Sequence, residues 1–250
     1  MKKTIFLTGA IICFALAGQI AYSLSGEDIL TKVEQTLTAP LDYEGKATMV
    51  LGYLNGSQRE ERELKIWMAG KEKRLIKFLS PAGMAEIGLL VEGEDEMYLY
   101  LPAQNKIRRI EGANKNDDFQ GTDFSYNELG SYEFRNDFTA ELKGEDSTTY
   151  ELLLSRKRSS DKNYDRMVMV VDKSNFVPKK IEFYNGEKLK KTLWILEIQQ
   201  TGKYTVPVKL KMENKEKNHF TEMTVSGLKF DQGLAAKNVF SKRFLKLKAR

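Results

Sequence analysis

From Tyr43 onward, apolar and polar positions alternate with a period of two. Tyr43, Ala47, Met49, Leu51 and Tyr53 alternate with Glu44, Lys46, Thr48 and Val50. That pattern predicts a strand with one buried face. Asn55-Gly56 follows, a strong short-range hairpin signal. The return strand runs over about Ser57–Met68 and carries Leu64, Ile66 and Met68 on one face. Further strand patterns occupy 74–79, 87–91, 97–101 and 106–110. In the second half they occupy 132–142, 149–154, 167–172, 179–184, 188–199, 205–212 and 221–230, with Asn185-Gly186 as another hairpin signal. The reading is a sheet of roughly eleven strands. Short turns between neighbouring strands imply antiparallel pairing.

Helical patterning is confined to short stretches. Ser25-Gly26-Glu27-Asp28 reads as a capping box, with Ser25 as N-cap and Asp28 at N3. Leu24 and Ile29 suit a hydrophobic staple. Ile29, Val33 and Leu37 share one face with Leu30 beside them, and Pro40 stops the helix. After the polar loop 112–118, Ser125-x-x-Glu128 is a second capping box. The stretch 234–245 is expected to be a last helix or a strand. Some strands are apolar on both faces. Met97, Leu99 and Leu101 oppose Tyr98 and Tyr100, and Met167, Met169 and Val171 oppose Val168 and Val170. A sheet covered on one side only alternates apolar with polar. Part of this sheet is therefore expected to be covered on both sides, by a second layer or by the wall of an apolar cavity.

The first residues change the picture of where the protein works. Lys2 and Lys3 precede an uncharged run, Thr4–Leu16, and Ala21-Tyr22-Ser23 fits a small-x-small cleavage pattern. That order describes a secretory signal peptide over 1–23, leaving one domain over 24–250. Cleavage after Ala17 also satisfies the pattern, and an uncleaved anchor is the alternative. Cys13, the one cysteine, follows Ile12 and lacks the small residue a lipidation site requires before it. The expected location is periplasmic, and the mature chain would have neither a disulfide nor a thiol nucleophile. Losing Lys2 and Lys3 lowers a formal charge of +5 by two. The basic residues form no long stripe, which argues against nucleic acid as a partner. The cluster Lys242, Arg243, Lys246, Lys248 and Arg250 reads as a solvated tail.

Catalytic constellations are scarce. His219 stands alone in a strand pattern and reads as structural. The chain has no G-x-S-x-G elbow, P-loop or dinucleotide fingerprint. Asn114, Asn116 and Asp118 are spaced like the start of a calcium loop. The required Gly and Glu are Phe119 and Ser125, so the match fails. Glu92, Glu94, Asp95 and Glu96 read as a solvated turn. No catalytic residue, metal or cofactor is assigned. A glycan-directed hydrolase would need a carboxylate pair whose separation only a structure can give.

One stretch is distinctive. It contains Gly88-Leu89-Leu90-Val91, Tyr98-Leu99-Tyr100-Leu101-Pro102 and Lys106-Ile107-Arg108-Arg109-Ile110. It ends in Phe119-Gln120-Gly121-Thr122-Asp123-Phe124-Ser125-Tyr126-Asn127-Glu128-Leu129. This resembles the outer-membrane lipoprotein-sorting family, the LolA/LolB-like group, whose signature reads F-x-G-S-D-F-S-Y-E-D-L. Thr122 replaces the family Ser, and Asn127-Glu128 replaces Glu-Asp. The resemblance implies a mainly β fold: an incomplete antiparallel β-barrel, or curved sheet, with helices closing its open side. It also implies an apolar cavity for acyl chains.

The function so expected is a non-enzymatic periplasmic carrier of a lipid or lipoprotein acyl chain, with an inner-membrane transporter as possible partner. The alternative is a non-catalytic accessory protein of an envelope transport complex. Nine Met and 10% aromatic residues suit an adaptable apolar wall. The residues expected to line the ligand are Met49, Leu51, Tyr53, Leu64, Ile66 and Met68 on the first hairpin, with Leu99, Phe124 and Tyr126. Asp123 and Ser125 are expected to cap a short helix that seats a lid.

Overall fold

The computed structural model describes residues 23–93 and 95–249. The expected signal peptide lies outside them apart from Ser23. The first helix, α1 (Gly26–Leu37), starts at a complete capping box between Ser25 and Asp28. Thirteen strands follow, one for each patterned segment and two more than the rough total of eleven. The first six are β1 (Asp42–Tyr53), β2 (Glu60–Ala69), β3 (Lys73–Ser80), β4 (Gly88–Gly93), β5 (Glu96–Leu101) and β6 (Lys106–Ile110). The other seven are β7 (Phe138–Glu145), β8 (Thr149–Arg156), β9 (Arg166–Asp172), β10 (Pro178–Asn185), β11 (Lys188–Thr201), β12 (Tyr204–Asn214) and β13 (His219–Phe230). All join one curved, open antiparallel sheet in the order β6-β5-β4-β3-β2-β1-β13-β12-β11-β10-β9-β8-β7.

Two meanders thus meet where β1 pairs with β13, and β6 and β7 form opposite edges. Residues 111–137 must carry the chain from one edge to the other. They include α2 (Tyr126–Gly130) and α3 (Phe134–Asp137). The sequence pattern extends a strand back to Tyr132, but β7 begins only at Phe138. The carboxylate of Glu34 accepts both the backbone N–H and the Nε–H of Arg135, at 2.7 and 2.8 Å, and holds that stretch as a helical turn. The two hairpin signals are also displaced. Six residues separate β1 from β2, and the second turn is Gly186-Glu187, one residue beyond the Asn-Gly pair.

The inner face carries two apolar clusters. One collects Met49, Leu64, Phe78, Leu89, Leu99 and Phe119. The other lies under α1 and unites Ile29, Leu30 and Val33 with Leu152, Leu154, Met169 and Met212. The outer face of the first meander is covered by residues 231–249, including α4 (Lys242–Lys246). This strap buries Leu234, Val239, Phe240 and Leu245 on Trp67, Leu75, Leu90, Tyr98 and Tyr100. It accounts for the two-faced β5. It also corrects the reading of a solvated tail, because Leu245 is fully buried and Lys242 lies over the Tyr98 ring at 3.8 Å. The strap is pinned by Lys77, a fully buried cation that meets Glu86 at 2.6 Å and donates to the Leu247 carbonyl. β9 is different: Val168 and Val170 are half-buried on the side away from α1.

The β7 edge is guarded by the start of α1. Glu27 Oε1 accepts the Ala140 N–H at 2.7 Å, so a carboxylate occupies an edge donor that could pair with another strand. Gly26 permits this approach: a Cβ there would come within 2.6 Å of the Ala140 carbonyl oxygen. That obstacle is backbone and cannot swing aside. Gly26→Ala is therefore expected to cost about 1–3 kcal/mol by overpacking. Urea denaturation of variant and parent should show it, and an unchanged midpoint would mean that α1 does not press on β7.

Candidate functional site

The crossing segment is built in two parts, a plug and a lid. The plug is the start of the distinctive motif. Gln120 and Gly121 both have positive φ, which turns the chain sharply after Phe119 and drives that ring inward. Phe119 is fully buried, stacked on Phe78 at 5.4 Å between centroids and edge-on to Tyr126 at 5.6 Å. Arg62 Nη1 donates to the Gln120 carbonyl at 2.7 Å. Asp118 and Ser125 form an isolated antiparallel bridge that closes the loop.

Asp123 ties the plug to β13. Its backbone N–H donates to Thr221 Oγ1 at 2.9 Å, and that hydroxyl donates back to Asp123 Oδ2 at 2.7 Å. His219 Nδ1 meets the same oxygen at 2.7 Å. His219 therefore has the structural position expected of it. Asp123 does not cap the helix as expected, because its carboxylate is already engaged by β13. Ser125 does cap α2: its Oγ accepts the Glu128 N–H at 3.2 Å, and Glu128 accepts the Ser125 N–H at 2.6 Å. Lys191 reaches in from β11 to the Asp123 carbonyl at 2.8 Å and to Glu128 at 3.2 Å. Tyr164 donates to the other Glu128 oxygen at 2.8 Å. Burial, and then the Glu128 charge, push the Tyr164 phenol far above its ordinary pKa, so it remains a donor.

Beyond α2 the segment becomes a lid over the second meander. A cavity of about 120 Å³ lies beneath it. Its floor is apolar: Met167 on β9, Ile181 and Phe183 on β10, Leu193 and Ile195 on β11, and Leu210 and Met212 on β12. Phe124, Tyr132 and Phe134 of the crossing segment, with Phe138 at the start of β7, line the other side, and Met97 adds to the wall. The rim is polar. Lys162 Nζ donates to Asn127 Oδ1 at 3.0 Å and pairs with Asp137 at 3.3 Å, clasping both ends of the lid. Asn127 in turn donates to Asn116 at 3.0 Å. The lid is thus anchored at Asp123 and at the Glu34–Arg135 pair, with Gly130–Glu133 between these anchors. The cavity is smaller than the roughly 300–1,000 Å³ of ordinary ligand pockets. A long chain would enter only if Tyr132 and Phe134 moved.

The residues expected to line a ligand are distributed unevenly. Met49, Leu51, Leu64, Ile66, Leu99 and Tyr126 are buried in the cluster that Phe119 fills, with Met68 packed against it. Met68 also faces the Tyr43 hydroxyl, its sulfur 2.6 Å away. Tyr53 is 38% exposed at the strand end, its ring edge-on to His219. Phe124 alone of the nine lines the cavity. The β10–β12 floor was not singled out, although its alternation is visible in 179–184 and 205–212. Alternation reports that a face is buried, not whether a plug or a space covers it.

An open curved sheet, closed on its inner side by a crossing segment over an apolar cavity, is an arrangement shared with solved structures. A DUF1329 family protein from Desulfovibrio piger superposes with a TM-score of 0.81 at 24% identity, covering 88% of this chain and 97% of that one. A candidate outer membrane lipoprotein-sorting protein domain from Vibrio parahaemolyticus gives 0.80 at 26% identity, with 89% and 98% covered. A LolA superfamily protein from Nitrosomonas europaea gives 0.73 at 17%, with 89% and 100% covered. No curated protein matches the chain. A family model described as "Uncharacterized protein" matches residues 70–247, and the chain belongs to that family, with a LolA-like fold.

The capping box makes the α2 start testable. Replacing an N-cap Ser by Ala typically costs about 0.5–2 kcal/mol. Ser125→Ala should raise hydrogen exchange across 126–130 well before the sheet is affected. Unchanged exchange there would show that the cap does not hold the lid's first turn.

Proposed function

We propose that this protein is an exported, periplasmic carrier that holds a lipid or lipoprotein acyl chain between the lid and β9–β12, without catalysing a reaction. The observation that carries the reading is the apolar floor under the crossing segment, beside a half of the same sheet whose inner face packs around Phe119. A core needs no second, unfilled compartment; a carrier does. Each CH₂ moved from water into such a space contributes about 0.8 kcal/mol, so chain length alone can supply affinity. The likeness to a candidate lipoprotein-sorting domain supports the same reading and agrees with the expected signal peptide over 1–23. An inner-membrane transporter is the expected donor of the ligand. The accessory-protein reading differs in its outcome: such a protein would be purified empty. Mass spectrometry of organic extracts from natively purified protein tests the proposal, and stoichiometric lipid is expected.

The position of the acyl site has its own test. Leu51→Ala and Ile66→Ala should cost about 2–5 kcal/mol each as core truncations and leave affinity for a fluorescent fatty acid unchanged. Ile195→Trp, which fills the cavity, should weaken that affinity several-fold with little loss of stability. The reverse pattern would move the acyl site to the first hairpin, where the sequence pattern placed it.

A further inference from the structure

We propose that Arg74 is the receptor for an anionic group of the ligand, a carboxylate or phosphate borne on an apolar chain. The proposal rests on the reading of the cavity as a lipid site and names the class of lipid it selects. Arg74 opens the inner face of β3, in register with Met68 on β2 and Val91 on β4. Val91 pairs in turn with Met97, so Arg74, Val91 and Met97 form one cross-strand row that ends at the cavity wall. Arg74 is only 2% exposed. Its Nη2 is buried without a hydrogen-bond partner among the described residues.

Buried guanidinium groups are ordinarily paired, because an uncompensated buried charge is costly. The other buried cations among the described residues obey that rule: Arg62 has Glu60, Lys77 has Glu86, Lys115 has Asp95 and Asp161, and Lys191 has Glu128. Among the described residues no carboxylate lies within ion-pair distance of Arg74. Glu133, the nearest acidic influence on it, pairs with Lys71 at 3.5 Å. What covers the guanidinium is the Tyr132 ring, 4.8 Å from Cζ. Tyr132 and Glu133 both line the cavity.

The cation is thus separated from the cavity by one aromatic lid residue. A face-on ring compensates a cation partially. A carboxylate or phosphate can take two guanidinium N–H groups at once. Movement of Tyr132 would therefore do two things together: enlarge a cavity too small for a long chain, and exchange a ring for an anion over Arg74. A neutral glyceride would gain the first and not the second.

Calorimetric titration of the full mature chain separates these terms. The probes are palmitate, lysophosphatidic acid, monopalmitoylglycerol and inorganic phosphate. Palmitate and lysophosphatidic acid should bind at least about ten-fold more tightly than monopalmitoylglycerol, as expected of a charge-assisted contact. The better of the two identifies the headgroup, and inorganic phosphate alone should be weak because it has no chain. Arg74→Met should abolish the preference and leave monopalmitoylglycerol binding intact, with Arg74→Lys keeping part of it. The ligand-free Arg74→Met protein should melt at a higher temperature, because an unpaired buried charge has been removed. Equal binding of charged and neutral probes by the parent, or a preference that survives in Arg74→Met, overturns the role of Arg74 while the lipid site stands. If no chain-bearing probe binds, the carrier reading falls and the inference with it.

Discussion

Everything on the inner face depends on one topological constraint. The chain leaves the first meander at β6, on one edge of the sheet, and enters the second at β7, on the other. Antiparallel neighbours can be joined by a turn, but opposite edges cannot. Residues 111–137 must cross, and the inner face of a curved sheet is the short path. The crossing segment then serves as the sheet's cover. Its first part carries Phe119 and Tyr126 and fills space; its second part bridges over a cavity that Phe124 also lines. One connection therefore packs against one half of the inner face and bridges a cavity over the other.

Buried polar groups decide which part of the connection is fixed. Asp123 is held by Thr221 and His219, Ser125 and Glu128 hold each other, and Lys191 joins the two sets from β11. Each group satisfies another in a low-dielectric interior, where a lost partner would be expensive. Between that network and the Glu34–Arg135 pair lies a stretch whose main contacts are aromatic. The Tyr132 ring in that stretch covers the Arg74 guanidinium, so its contacts include a cation as well as apolar surface. Rigid ends with an apolar middle suit a lid. The outer face is secured by the same logic, since the buried Lys77 fastens the strap through Glu86 and the Leu247 carbonyl. Arg74 is the departure from this economy, and it sits under the Tyr132 ring.

Local physics was legible in the sequence. Both capping boxes form where S-x-x-D and S-x-x-E stand, because a cap is an interaction over three residues and needs no distant partner. The strand segments were legible through period-two alternation, and their antiparallel pairing through short turns. The motif from Phe119 to Leu129 was identifiable as a family signature before its contacts could be known. What the sequence could not decide was what lies across from each apolar face. Met49, Leu51, Leu64 and Ile66 carry the same pattern as Ile181, Phe183, Leu210 and Met212. The first set meets Phe119 and its neighbours, and the second faces the cavity. The difference comes from contacts between residues far apart in the chain, such as Phe78 with Phe119, Asp123 with Thr221 and Lys191 with Glu128. Alternation determines that a side chain is withdrawn from water; only the tertiary structure decides whether it meets another side chain or a space.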